Sequence, residues 1–152
     1  MKSNELLLKT VFCCMACDGS IADEELSFLN TFVNDSKYFI GLDVENLINQ
    51  YVAEINAAGH HFLENYLDEI SASGLNTDDE MKLAEIAIAM IEADNNIEYS
   101  EISFFKDIRK RLAFSDAQFL EAFPDKEDYI LPDIVPHVNT KITFNLSNIS
   151  LN

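Results

Sequence analysis

Basic residues, glycine, cysteine and long apolar runs are all scarce in this chain of 152 residues. It carries 10 Lys and Arg against 27 Asp and Glu, a formal net charge of -17. A nucleic acid would be repelled by that field rather than steered into it, so no nucleic-acid partner is expected. Cations, basic peptides or the basic face of a partner protein suit it better. Four glycines leave no Gly-rich loop to cradle a phosphate. No apolar stretch approaches the roughly 20 residues needed to span a bilayer, so direct membrane insertion is not expected. Work at a membrane would go through a partner.

The cysteines are three, Cys13, Cys14 and Cys17. An odd number crowded within five residues makes a poor disulfide framework, and a reduced, cytoplasmic compartment fits best. The segment Met1–Cys17 does not read as a signal peptide, because Lys9 interrupts its apolar run and no cleavage site follows. Neither an HExxH pattern nor any other nucleophile-and-base arrangement stands out, so the chain is not expected to be an enzyme.

What is present is a repeat. The pattern Asp-x-x-Ile-x-x-x-Glu-φ-Ser-Phe-φ, with φ apolar, spans Asp18–Leu29 and again Asp94–Phe105, an offset of 76 positions. Each copy follows an apolar helical run, so one helix-turn-helix unit is used twice. Around the copies the chain is helical by period. Leu7, Leu8, Val11, Phe12 and Met15 make a stripe over residues 4–16, and a second helix covers about 22–33. Asp43 is the expected N-cap of a third helix that Gly59 ends, and a fourth closes near Gly74. Thr77 with Glu80, and Ser115 with Gln118, read as capping boxes opening two further helices. The helix after the second copy carries Ile102, Phe105, Ile108 and Leu112, with Arg109, Lys110 and Arg111 at its end.

The expected architecture is therefore an all-α, compact bundle of about seven helices with two pseudo-equivalent acidic helix-turn-helix units. Its domain covers residues 1–123, and a Pro-containing extended C-terminal arm covers 124–152. In the arm, Ile142, Phe144 and Leu146 alternate with polar residues in a strand pattern. The arm either docks on its own domain or pairs with that of a second copy. Docking, and hence a monomer, is favoured over a homodimer, because two lone strands are marginal in water.

The acidic turns admit two readings, which can both hold. In the first, Asp18 and Asp94 accept backbone N–H bonds in the turns, Ile21 and Ile97 plug into the core, and Glu25 and Glu101 reach back to N–H groups at the next helix start. In the second, these carboxylates and the flanking Asp23, Glu24 and Glu98 form an acidic surface that collects a divalent cation or a basic partner. The motif matches only the second half of an EF-hand loop. Cys14 and Ala16, and Met90 and Glu92, stand where early carboxylates belong. A rival reading joins Cys14 and Cys17, at i and i+3, with His60 and His61 as a small zinc or redox site. Buried core cysteines are the simpler account.

The residues Met15–Glu25, with Asp18, Gly19, Ile21 and Glu25 at their spacing, resemble the signature of the TerB-like domain. That family includes tellurite-resistance TerB proteins and the N-terminal domain of a membrane-anchored J-domain co-chaperone. The resemblance covers roughly residues 5–122, with Asp94, Ile97 and Glu101 matching a second Asp-containing turn. It departs at Asn95, where the family commonly has Gly, and at Cys17, where Ala is usual. The resemblance implies an all-helical fold with the two turns near a pseudo-twofold axis. It further implies a non-catalytic role in stress response of the tellurite-resistance type and association with membrane-bound protein partners. It also implies binding of a divalent metal (calcium, magnesium or manganese) by Asp18, Glu25, Asp94 and Glu101.

Overall fold

The computed structural model describes residues 3–17, 19–35, 39, 41–93, 99–130, 144, 146, 148 and 149. Among them are seven α-helices and one 3-10 turn, and no strand. The helices are α1 (Ser3–Ala16), α2 (Asp23–Asp35), α3 (Val44–Ala58), α4 (His60–Ala72), α5 (Thr77–Ile91), α6 (Tyr99–Lys110) and α7 (Asp116–Ala122), followed by a 3-10 turn at Glu127–Tyr129. The all-helical expectation holds, and the first four helices fall where the periodicity puts them.

The centre is α1. Leu6, Leu7 and Leu8 and every residue from Thr10 to Cys17 are buried. A helix that is apolar on nearly every side must be surrounded. It is, by α3, α4, α5 and α6. Its two inward polar side chains are satisfied locally. Thr10 donates or accepts at the Tyr66 hydroxyl and bonds the Leu6 carbonyl at 2.8 Å. Lys9 pairs with Glu69 and lays its ammonium over the rings of Tyr51 and Phe62, 5.6 and 4.9 Å from their centroids.

The two repeated units pack reciprocally. Their first helices, α1 and α5, lie against each other, and each second helix reaches across to the other unit's first: α2 touches α5, and α6 touches α1. The sequence equivalence of the units thus becomes a spatial one. The first unit's turn closes on Gly19, whose φ of 89° suits glycine and whose N–H bonds the Ala16 carbonyl at 2.9 Å.

Side-chain caps fix the starts of α3, α5 and α7. Asp43 accepts from the Asn46 N–H at 3.3 Å, and Ser115 and Gln118 complete a reciprocal capping box on α7. The start of α5 differs from the sequence expectation. Asn76, not Thr77, is the N-cap, and its side chain accepts from the Asp79 N–H at 2.8 Å. Glu80 is thereby freed from capping. It turns inward and accepts from the backbone N–H groups of Ala113 (3.0 Å) and Phe114 (3.2 Å), tying α5 to the loop before α7. The basic residues at the end of α6 meet acids nearby: Arg109 pairs with Asp116 and Arg111 with Asp68, both at 2.8 Å.

Residues 124–130, expected to begin an extended arm, instead turn and form the 3-10 helix, because Tyr129 packs edge-on against Phe105. Farther on, Phe144 and Ile149 are buried and Leu146 packs against the same core. The arm's described residues therefore dock on the helical body of their own chain.

Replacing Glu80 by Ala would leave two backbone N–H groups without their acceptor. The expected loss is about 2–4 kcal/mol in urea unfolding, with Glu80→Gln, which keeps one acceptor oxygen, losing about half as much. Equal stability for wild type and Glu80→Ala would show that the tie carries nothing.

Candidate functional site

The repeats place their equivalent glutamates inside the protein. Glu25, in the first turn of α2, is 5% exposed, and Glu101, in the first turn of α6, is 4% exposed. The Glu25 carboxylate accepts from the Ala22 N–H at 2.8 Å, as a helix-start carboxylate should. Both converge on α1. Burial pushes the Cys14 thiol well above its ordinary pKa, and the neighbouring Cys13 thiol and the Glu101 and Glu25 carboxylates push it further. The packing reason is the reciprocal arrangement: α2 packs on α5 and α6 on both α1 and α5, so the two first-turn glutamates enter the same α1–α5 pair from the two units.

The flanking acids sort differently. Asp23 and Glu24 are exposed on the outer side of α2's first turn. Ile21 is half-buried against the core, as expected of the plug of the turn. Asp18, Asp94, Ile97 and Glu98 lie outside the described residues. No group of three or more His, Cys, Asp or Glu side chains that could hold a metal ion comes together among the described residues. Glu25 and Glu101 alone do not fit a hard divalent cation, which takes six or more oxygen ligands. A complete set would need Asp18 and Asp94.

The rival cysteine–histidine site does not assemble. Cys13 and Cys14 on α1 and Cys17 just after it are buried and form no disulfide, and the Cys17 thiol is directed to the Cys14 carbonyl at 3.6 Å. His60 and His61 are exposed at the start of α4, where His60 meets the edge of Phe144 and His61 faces Glu64 at 3.6 Å. The thiols face the core and the imidazoles face outward, so the four side chains form no ligand group.

A second acidic centre joins the end of α5 to the 3-10 turn. Glu92 accepts from Lys126 at 2.7 Å and from the Tyr129 hydroxyl at 2.9 Å. Burial, the Glu92 hydrogen bond and the Glu92 and Glu101 charges raise the Tyr129 phenol above its usual range. Tyr129 is therefore a fixed donor and no acid–base group. Sequence reasoning missed this centre, because its partners sit 34 and 37 positions apart with no shared motif. No protein-family model, curated protein or solved structure matches the chain.

The raised pKa values of Cys13 and Cys14, with desolvation the first cause at both, have a measurable sign. The folded thiols stay protonated when the unfolded ones, near pH 8.5, ionise. The thiol contribution to stability is then complete below about pH 8, begins to fall at that unfolded value and is lost progressively as pH climbs on toward the raised folded one. Iodoacetamide should label Cys13 and Cys14 in native protein at least about 100-fold more slowly than in urea. Rapid native labelling of both would contradict their burial.

Proposed function

We propose that this chain is a non-catalytic interaction domain of the TerB-like type, serving a stress response of the tellurite-resistance kind through an acidic surface. The observation that carries the reading is the convergence of the two repeat-equivalent carboxylates, Glu25 and Glu101, on the central helix. It supports the two acidic turns lying in one region, as the family resemblance implies. The outward Asp23 and Glu24 and the net charge of -17 favour a basic protein surface as partner and would speed its association. A membrane-associated partner is compatible with it: no described helix is long and apolar enough to cross a membrane itself.

The divalent-cation part of the reading rests on Asp18 and Asp94 joining Glu25 and Glu101. It is tested by calorimetric titration of the full chain with calcium, magnesium, manganese and zinc. The expected result is binding of one of the first three and no zinc binding. Asp18→Asn combined with Asp94→Asn should weaken that binding at least about tenfold, roughly 1.4 kcal/mol. Binding that survives the double substitution moves the site elsewhere. No binding in wild type removes the metal and leaves only the protein-interaction reading. That reading fails in turn if Asp23→Lys with Glu24→Lys leaves the association rate of a Lys-rich probe peptide unchanged at low salt.

A further inference from the structure

Asn49 and Asn56 lie seven residues apart on α3, and each grips one residue of the arm by its backbone. The Asn49 amide donates to the Ile149 carbonyl at 2.8 Å while its oxygen accepts from the Ile149 N–H at 2.7 Å. Asn56 does the same to Leu146, at 2.9 and 2.8 Å. A side-chain amide used in this way imitates the peptide group of a neighbouring β-strand. The spacing is matched. Seven helical residues rise about 10.5 Å, and the three residues from Leu146 to Ile149 span about 10 Å when extended. Beyond Asn56, the His60 ring at the start of α4 meets the edge of Phe144, 5.6 Å between centroids. The arm thus runs antiparallel to α3, with Ile149 at Asn49, Leu146 at Asn56 and Phe144 at His60.

The two paired contacts read main chain and not side chain, so they would hold any extended segment. Selection comes from the apolar positions. Phe144 and Ile149 are buried and Leu146 is half-buried. The pattern taken is therefore apolar-x-apolar-x-x-apolar. We infer that the α3 face carrying Asn49 and Asn56 is a peptide-binding groove for extended segments of this pattern. The chain's own Phe144, Leu146 and Ile149 occupy it in cis and hold it closed to peptides in trans. The ligand in trans is a partner protein's extended segment with basic flanks, since Glu45, one turn before Asn49, and Glu64, one turn after His60, are exposed and the whole chain is strongly acidic. The inference is independent of the metal reading, because none of its residues belongs to the repeats.

A tethered segment has an effective concentration on the order of 1 mM. If the free groove binds the peptide with Kd about 10 μM, the tether weakens trans binding about 100-fold. The probe is a fluorescein-labelled peptide of residues 141–152, followed by anisotropy against full-length protein. Phe144→Asp with Ile149→Asp should release the arm and give binding about 100-fold tighter than wild type. Adding Asn49→Ala and Asn56→Ala should weaken that binding at least tenfold while helix content stays constant.

A gentler variant covers the case in which the released form does not fold. Inserting 26 Gly and Ser residues after Pro136 triples the number of residues between Ile130 and Phe144 and substitutes no described side chain. It should tighten trans binding about fivefold, following the three-halves power of tether length. Absence of binding to the folded released variant would overturn the groove, as would indifference to the two asparagines. Equal binding by wild type and the released variant, or a wild-type dimer that the asparagine substitutions dissociate, would overturn closure in cis.

Discussion

Everything in this structure is arranged around a helix that has no side to show to water. Over Leu6–Cys17 only Lys9 escapes full burial, and its ammonium is taken up by Glu69 and two aromatic faces. Such a helix cannot sit on a surface. Four others must cover it, and a chain of this length can just supply them. The dominance of α1 also accounts for Cys13 and Cys14. They are small apolar side chains at close packing positions, and burial raises both thiols above their ordinary pKa.

From that constraint the two repeated units gain their reciprocal packing. With α1 and α5 side by side, α2 lies against α5 and α6 against α1, and the first-turn glutamates end up inside. A buried carboxylate is tolerated only with donors in reach, and the helix start supplies one to Glu25 at Ala22. Glu80 is buried as well, on the N–H groups of Ala113 and Phe114, and most of the other described acids are exposed. The molecule thereby separates two jobs that one sequence motif runs together: structural carboxylates within, and a field-generating surface without. The docked arm adds a third feature, a face of α3 on which Asn49 and Asn56 hold the chain's own backbone at Ile149 and Leu146.

Much of the fold was legible in the sequence because its signals are local. The 3, 4, 7 stripes of α1 and α3, the Asp43 cap and the Ser115–Gln118 box need only neighbours within a turn or two. The Thr77–Glu80 box misled for the same reason. Asn76 competes for the cap one position earlier, and the pull on Glu80 comes from backbone 33 and 34 residues away. The convergence of Glu25 and Glu101 was foreshadowed by the repeat, but their burial was not, since an acidic run reads as surface. The arm's alternation correctly marked Phe144 and Leu146 as inward. Its partner was invisible, because Asn49 and Asn56 look like ordinary polar positions on the outer face of α3.

The account stands on a central helix that opens only with the whole molecule and an arm that opens alone. Native-state hydrogen exchange followed by NMR separates the two directly. Amides of Phe12–Met15 should exchange only through global unfolding. The Leu146 and Ile149 amides, held by the Asn56 and Asn49 side chains, should be at least about 100-fold less protected and insensitive to low denaturant, the mark of local opening. Equal protection at all these sites would contradict the account, since the arm would then be part of the indivisible core and the groove beneath it would never be vacant.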